Sequence, residues 1–243
     1  MAFGDIVQRI DGASPNASST SLDITFGSAI TEGNLLSVVH MTGDAAGSTG
    51  CSSSSGSYTK DLKVDNDFGS EDDTIEAYRR EAGASEATTV TVTNAANEIV
   101  ALGIEVDDGP NGFDSSPLDI AYTGDRSASG STYDMGPTAT TAQAVEFAVA
   151  FCYTRHQGNT GNTWSDGFTG DSASRESSDF KSAGLATKTL TATGTISTSY
   201  TKVQSASVAK GGIVTYTEAS AGGATNPKGP LGHPLHGPLG GPL

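Results

Sequence analysis

The chain has 243 residues, of which 17% are charged and 35% are hydrophobic, and its formal net charge is −15 at pH 7. Proteins bind nucleic-acid backbones and anionic membranes through Lys and Arg, so this charge argues against both partners. The length suits one large β-sandwich and is ample for a buried core.

Short runs that alternate apolar and polar residues, separated by clusters of Gly, Asn, Asp and Ser, predict about eleven β-strands. In the first run, SLDITF, the side chains of Leu22, Ile24 and Phe26 share one face. The denser runs 33–41 and 98–106 predict central strands that are buried on both faces, and 144–155 is the most apolar run of all. The other predicted strands are 58–64, 74–81, 87–95, 118–124, 188–196, 200–209 and 212–218.

One of these runs, TIEAYRREAGASEA from Thr74, has a helical alternative. We prefer a strand, because the apolar side chains of Ile75, Ala77 and Tyr78 do not fill a helical stripe and Gly83 ends the run early. Alternation over so many short strands predicts an all-β protein with two antiparallel sheets, as in a sandwich or barrel.

The predicted domain organisation is a β-sandwich at residues 1–220 followed by a Gly/Pro-rich, extended C-terminal arm at residues 221–243. Within the sandwich, SSTSLDITFGSAITEGNLLSVV near the start resembles GPTATTAQAVEFAVAFCY at 136–153. Each segment has a Ser/Thr-rich lead and then a buried strand. Two similar halves are typical of a jelly roll built from two Greek keys.

Three segments together resemble a jelly-roll module of tailed-phage virion proteins and of some bacterial surface proteins. They are the opening segment just quoted, then EAGASEATTVTV at 81–92, and then AVAFCYTRHQGNTGNTWSDGFTG at 148–170. Their order matches the family, and they span most of residues 8–218. The resemblance implies a two-sheet antiparallel jelly-roll sandwich that serves as a structural or binding module on a virion, with no shared set of catalytic residues.

The sequence contains no catalytic motif. There is no Gly-x-Ser-x-Gly elbow between a strand and a helix, so we expect neither an enzyme nor a cofactor, and a hydrolase on this scaffold remains a hypothesis with no motif behind it. Among the histidines, His233 and His236 lie in the arm without a third metal ligand. His40 lies in a predicted buried strand and is interpreted as a core or edge histidine with its hydrogen bonds satisfied, in preference to a catalyst.

The two cysteines occupy different surroundings. Cys51 lies in the Gly/Ser-rich stretch GSTGCSSSSGS, which predicts a loop, and Cys152 lies in the apolar run FAVAFCY. A buried free thiol is the preferred interpretation of Cys152, and a disulfide between the two is the alternative. Two cysteines make neither a disulfide framework nor a zinc pattern.

Two acidic stretches are candidates for binding calcium, which prefers oxygen ligands in turns. DNDFGSEDD at 65–73 holds five carboxylates, and EVDDGPNGFD at 105–114 holds four. Neither has the twelve-residue spacing of a calcium loop with a terminal Glu, so a solvated acidic turn is the preferred interpretation and no metal site is predicted. The weak calcium candidates are Asp65, Asp67, Asp72 and Asp73.

Trp164 is the one tryptophan, and it lies in the segment NTGNTWSDGFTG. An exposed ring there would stack on a sugar. The preferred alternative is a tryptophan that caps the end of the sandwich, with its indole N–H bonded to a backbone carbonyl. Tyr122, Tyr133 and Tyr153 would widen a glycan-binding platform only if they share an exposed face.

The arm ends in four tetrads, KGPL, GHPL, HGPL and GGPL. A period of four excludes a collagen helix, which needs Gly at every third position. Proline lacks a backbone donor, so the arm cannot form its own helix or sheet. We predict a preorganised peptide that binds a neighbouring subunit. The predicted partner-binding residues are Pro230, Leu231, Pro234, Leu235, Pro238, Leu239, Pro242 and Leu243.

The sequence therefore leads to one main functional hypothesis and one alternative. The main hypothesis is a virion structural protein, a capsid decoration or head-fibre protein, that assembles as a trimer or pentamer and contacts other capsid or tail subunits. The alternative is a module that binds a host-surface glycan or receptor. The N-terminus MAFGDIVQRIDG lacks the basic and apolar regions of a secretory signal, so we expect synthesis in the host cytoplasm and location in the virion.

Overall fold

A computed structural model describes residues 2–13, 19–43, 50–68, 71–94, 98–124, 130–155, 161–170, 175–176, 181–206 and 208–220. These residues form strands, turns and loops, and none of them is helical, so no helix in these ranges is long and apolar enough to cross a membrane. The strands are β1 (Ile6–Ala13), β2 (Ser21–Thr25), β3 (Leu35–Thr42), β4 (Gly50–Ser53), β5 (Gly56–Ser57), β6 (Thr59–Phe68), β7 (Glu71–Glu81), β8 (Thr89–Thr93), β9 (Ile99–Val106), β10 (Phe113–Thr123), β11 (Gly130–Met135), β12 (Val145–Arg155), β13 (Thr163–Trp164), β14 (Thr169–Gly170), β15 (Arg175–Glu176), β16 (Lys181–Thr191), β17 (Thr198–Ala206) and β18 (Val208–Glu218).

The strands form four antiparallel sheets, two from each half of the chain. In the first half, inner sheet 1 has the order β1-β9-β3-β7-β6 and outer sheet 1 has the order β2-β8-β4-β5. In the second half, inner sheet 2 has the order β10-β18-β12-β16-β14, with β15 also paired to β16, and outer sheet 2 has the order β11-β17-β13. The all-β, antiparallel, sandwich-like class predicted from the alternation is confirmed.

The second half repeats the strand order of the first. If β10 is placed on β1, then β10-β18-β12-β16 corresponds to β1-β9-β3-β7, and β11-β17-β13 corresponds to β2-β8-β4. The two segments that resemble each other in sequence lead into β3 and β12, which occupy the same place in the two orders. Each half therefore builds its own pair of sheets.

Three hydrophobic cores hold the four sheets in a stack. The first core joins outer sheet 1 to inner sheet 1, a central core joins the two inner sheets, and the third joins inner sheet 2 to outer sheet 2. Strand β3 shows why both inner sheets are so apolar. Its side chains alternate, with Leu35, Val39 and Met41 in the central core and Leu36 and Val38 in the first core. The predicted burial of residues 33–41 and 98–106 on both faces is confirmed, because inner sheet 1 is covered on both sides.

Two predicted strands differ from the structure in where they begin or end. The strand predicted at 188–196 is β16, which runs from Lys181 to Thr191. Residues 192–197 leave the sheet because their backbone bonds to a neighbouring loop: Thr138 N donates to Ile196 O at 3.0 Å, and Ile196 N donates to Thr138 Oγ1 at 3.0 Å. The strand predicted at 200–209 is divided between β17 and β18.

The cysteines lie in two different cores. Cys51 lies in strand β4 and not in a loop, and its side chain packs in the first core, whereas Cys152 packs in the third. Both are buried free thiols, so the disulfide alternative is wrong and the buried-thiol interpretation of Cys152 is confirmed. The strand at 74–81 is also confirmed as part of β7.

Candidate functional site

Glu218 and Ala219, close to the end of the described chain, are hydrogen-bonded to the body of the protein. Three hydrogen bonds hold them: Ala219 N donates to Gly112 O at 2.9 Å, Gln143 Nε2 donates to Glu218 O at 2.7 Å, and Asn111 Nδ2 donates to Glu218 Oε1 at 3.0 Å. We call Glu218 and Ala219 the root of the arm. The predicted partner-binding prolines and leucines from Pro230 to Leu243 lie outside the described residues, as do His233 and His236.

Trp164 packs into the protein on one side. It lies in β13 of outer sheet 2, and its ring is 4.7 Å from the ring of Tyr200, centroid to centroid, at a tilt of 44°. The indole Nε1 is buried and has no hydrogen-bond partner among the described residues, so the predicted bond to a backbone carbonyl is not formed there. A Cβ added to Gly170 would lie 2.9 Å from Nε1, which shows how closely the backbone approaches the ring.

The tyrosines do not extend a sugar-binding surface around Trp164. Tyr133 and Tyr153 are buried, at 4% and 1% exposure, and they belong to different cores. Tyr122 is half-buried and donates a hydrogen bond to Gly136 O at 3.3 Å. The shared exposed face that a glycan-binding platform requires is therefore not made by these three residues.

A groove that the sequence analysis did not identify lies beside the end of β16. It has a volume of about 420 Å³ and is lined by Asp166, Lys188 and residues 189–197, including alternating threonines. Lys188 Nζ donates to Asp166 O at 2.7 Å, and Asp166 has a left-handed backbone with φ of 54°. The groove forms because residues 192–197 leave the sheet, and local alternation does not signal that departure.

Two aspartates of the first acidic stretch contact other side chains of the protein. Asp65 is exposed and pairs with Lys63 at 2.9 Å, whereas Asp73 is buried and accepts a hydrogen bond from Tyr153 Oη at 2.5 Å. The side chains of Asp67 and Asp72 lie outside the described part. Across the described ranges, no group of three or more His, Cys, Asp or Glu side chains is placed to hold a metal ion.

A cluster of polar side chains lies between outer sheet 1 and inner sheet 1, which together we call the first sandwich. His40 Nε2 is 3.5 Å from Glu76 Oε2, Lys60 pairs with the other oxygen of Glu76, and the His40 ring stacks on Tyr78 with centroids 5.2 Å apart. Burial lowers the pKa of His40 to about 4, so this histidine is neutral at pH 7. The core position of His40 is confirmed by its complete burial, but neither ring nitrogen has a hydrogen-bond partner among the described residues.

Neither buried cysteine is an activated nucleophile. Burial and the nearby Glu76 charge raise the pKa of Cys51 to about 12. Burial also raises the pKa of Cys152, and Lys202 offsets only part of that effect. Reaction requires the thiolate, which neither side chain forms to a useful extent at neutral pH.

The second sandwich, which is the pair of inner sheet 2 and outer sheet 2, contains a buried lysine that the sequence analysis did not identify. Lys202 is 2% exposed, and its Nζ donates to Thr154 Oγ1 at 3.0 Å and lies 3.4 Å from Ser182 Oγ. The hydroxyls of Thr154 and Ser182 are themselves 2.8 Å apart. The signal was present in the alternation of β17, because Tyr200 and Lys202 occupy positions of the same parity and therefore face the same core.

Comparison with models of known protein families, with curated protein sequences and with solved structures found no significant match. The function must therefore be argued from the fold, the surface and the root of the arm.

Proposed function

We propose that the protein is a structural protein of a bacteriophage virion, of the capsid-decoration or head-fibre type, attached to neighbouring subunits partly through its C-terminal arm. The observation that carries this proposal is the nested strand pairing of each half. In the first half β1 pairs with β9, β2 with β8, β3 with β7 and β4 with β5; in the second half β10 pairs with β18, β11 with β17 and β12 with β16.

Nested pairing supports a jelly roll in each half. An antiparallel ribbon that is rolled into two sheets pairs its first strand with its last, its second with the next to last, and so on inward. Jelly rolls of this kind are common in viral capsid proteins and in lectins. We therefore interpret the body as two jelly rolls joined through their inner sheets, which suits a rigid module displayed on a particle.

The surface of the body supports attachment through the arm. Among the residues whose side chains are described, Val145 and Val203 are the exposed large hydrophobics, so the body offers little apolar area for a permanent interface. One edge of each inner sheet is also protected against pairing with another sheet: β6 carries Lys60, Lys63 and Asp65, and β10 contains a proline and register shifts.

The arm supplies the apolar anchors that the body lacks. Each of its four Pro-Leu leucines would contribute roughly 1.5–3 kcal/mol when it is buried in a pocket, before the cost of ordering the chain. Proline reduces that cost, because the free chain has fewer conformations to lose. The hydrogen bonds of Glu218 and Ala219 hold the chain to the body just before residue 221, where the proposed arm begins.

Deletion of residues 225–243 is expected to abolish incorporation of the protein into virions, because it removes every Pro-Leu anchor. The measurement is the amount of protein in purified particles, by immunoblot and by electron microscopy. A matched control replaces the same residues with a Gly/Ser chain of equal length, and it should fail in the same way while the body stays folded. Normal incorporation of the truncated protein would refute the proposal.

Light scattering on the full chain would test whether the protein assembles as a trimer or pentamer.

A second candidate function is binding of a host-surface glycan or receptor. The groove beside β16 favours it, because its threonines, Lys188 and Asp166 offer hydrogen-bond donors and acceptors close to the segment that holds Trp164. The groove lacks the aromatic surface that usually stacks on sugars, so this function ranks second.

The glycan alternative predicts that Trp164→Ala removes retention on immobilised host-surface polysaccharide while assembly into particles survives. Lys188→Ala, in the groove, should weaken retention as well, and Val203→Ala, at an exposed site on β17, should leave it unchanged. If the wild-type protein is not retained, or if Trp164→Ala is retained equally, the alternative is wrong.

A further inference from the structure

Strand β16 is only partly paired on its outer side. In the first half the corresponding strand, β7, pairs with β6 over residues 71–79. In the second half β14 and β15 together pair with four of the eleven residues of β16, namely Thr187, Ala186, Ala183 and Ser182. No other described strand lies on that side of β16. The stretch 188–191, which lines the groove of about 420 Å³, therefore has a described strand beside it only on its β12 side.

Two departures of the chain from the sheet leave this stretch open. A tight turn precedes β14: Phe168 N donates to Ser165 O at 3.1 Å, and the two residues between them have left-handed φ of 54° and 78°. Strand β14 therefore begins only at Thr169, opposite Thr187. After β16, residues 192–197 also leave the sheet. The groove lies beside the backbone edge that these two departures uncover.

The open edge presents the backbone groups of Thr189 and Thr191. The carbonyl oxygen of Leu185 points towards β14, because a Cβ added to Gly170 would lie 2.5 Å from it. Backbone N–H and C=O groups alternate in direction along a strand, so those of Thr189 and Thr191 point to the same side as those of Leu185, and those of Leu190 point to β12. Among the described residues, no turn or loop bond involves the backbone of Thr189 or Thr191.

The Pro-Leu repeat of the arm has a matching alternation. Its repeat units, each a Gly or His followed by Pro and Leu, are 229–231, 233–235, 237–239 and 241–243. A period of four is a multiple of the strand period of two, so an extended arm turns every Pro to one side and every Leu to the other. We propose that the groove is a strand-addition site that binds one repeat unit of the protein's own C-terminal arm.

The backbone of one repeat unit fits the open edge residue by residue. The Gly or His and the Leu of the unit would each exchange hydrogen bonds with Thr191 and Thr189, and the Pro would lie opposite Leu190. At that position the backbone nitrogen of the added strand faces solvent, where a proline costs no hydrogen bond. Main-chain bonds of this kind supply much of the affinity when an extended peptide adds to a sheet.

The side chains of the unit also find neighbours. Residues that lie opposite each other on paired strands project from the same face. The proline ring would lie beside Leu190 and next to Ile196, which line the groove and belong to the third core. The leucine would lie beside the exposed side chain of Thr189, close to the chain at Gly4, where an added Cβ would be 2.5 Å from Thr189 Oγ1.

The arm of the same chain can reach the groove. Strand β18 ends beside the start of β12, where Val145 lies opposite Thr191 and the next residue of β12 lies opposite Thr217. A strand added antiparallel to β16 would begin at this same end, three strand spacings or about 14 Å from β18. The first repeat unit begins ten residues after Ala219, and ten extended residues span up to about 33 Å. Such a tether gives an effective concentration of about millimolar, which favours this arm over that of a second copy.

Docking of one unit does not rest on the proposed function. The open stretch of β16 has room for a single unit, so three units remain available to neighbouring subunits. A unit in the groove would exclude a glycan from the same place.

Hydrogen–deuterium exchange at single-residue resolution tests the site, with the full chain compared with the chain that lacks residues 225–243. The amides of Thr189 and Thr191 should exchange several-fold more slowly in the full chain, because each donates to the arm, while amides of β3 should not change. The difference should be independent of protein concentration. Equal exchange in the two proteins overturns the proposal. Protection that disappears on dilution also overturns it, since a second copy would then supply the arm.

Two sets of proline substitutions test the register in the full chain. The first set places rings that face β16, and it should remove the protection of Thr189 and Thr191; it is Gly229→Pro, His233→Pro, Gly237→Pro and Gly241→Pro. The second set places rings on the solvent side, and it should keep the protection; it is Gly232→Pro, His236→Pro and Gly240→Pro. If both sets behave alike, the proposed pairing is wrong. Both sets retain every leucine, and incorporation into virions is measured separately, so either proposal can fail while the other stands.

Discussion

Asp61→Ala is expected to lower the free energy of unfolding by about 3–5 kcal/mol, because it removes one partner of a buried ion pair. The Asp61 carboxylate is fully buried, pairs with Arg79 of inner sheet 1, and accepts a hydrogen bond from Tyr216 Oη of inner sheet 2 at 2.8 Å. The substitution leaves the guanidinium and the phenol without their acceptor at the contact between the two halves.

Chemical denaturation measures this loss of unfolding free energy. Asp61→Asn and Asp65→Ala are the variants with which it is compared. Asp61→Asn keeps an acceptor for Tyr216 but removes the charge, so its loss should be smaller. Asp65→Ala removes a carboxylate that is 54% exposed and paired with Lys63, and exposed pairs contribute only about 0–1 kcal/mol. Equal losses for Asp61→Ala and Asp65→Ala would contradict the buried position of Asp61.

Phe151→Ala is expected to lower the free energy of unfolding by about 3–5 kcal/mol through the cavity that it leaves in the central core. The Phe151 side chain is fully buried between the inner sheets, and a Cβ added to Gly212 would lie 3.0 Å from its Cζ, so the neighbouring strand packs tightly on the ring. The backbone around the ring therefore has little freedom to move into the cavity that Phe151→Ala leaves.

The same denaturation experiment tests whether the two sandwiches share one core. Val203→Ala is the matched control, because its side chain is 67% exposed and its truncation should change stability by no more than about 0.5 kcal/mol. If Phe151→Ala costs as little as Val203→Ala, the inner sheets do not pack as described.

Most of the strands follow from local pattern. The runs that became β3, β9 and β12 were evident because sheets covered on both faces need unbroken apolar sequence. Strand β8 was equally clear, since Val90 and Val92 are buried and the threonines between them are less so. Strands β1, β4 and β11 were missed, because their Gly, Ser and charged residues resemble loops until a partner strand is present.

The position of Asp61 shows where local pattern fails. Alternation along 58–64 places the Asp61 side chain opposite Leu62 and Val64, on a polar face. The register of β6 against β7 shifts between Lys60 and Leu62, and Asp61 is the extra residue at this bulge. A bulge changes the direction of a side chain, and it forms only when the two strands pair.

The sequence by itself determined the class of the fold, because the period of two and the composition of each strand are local properties. It also contains the Pro-Leu repeat at residues 228–243, because a period of four is visible without any other part of the chain. The tertiary structure alone decided that each half builds its own pair of sheets, and it brought Tyr216 to Asp61 and Lys202 to Thr154. Those contacts join residues far apart in the chain, and their energy exists only once the sheets have stacked and excluded water.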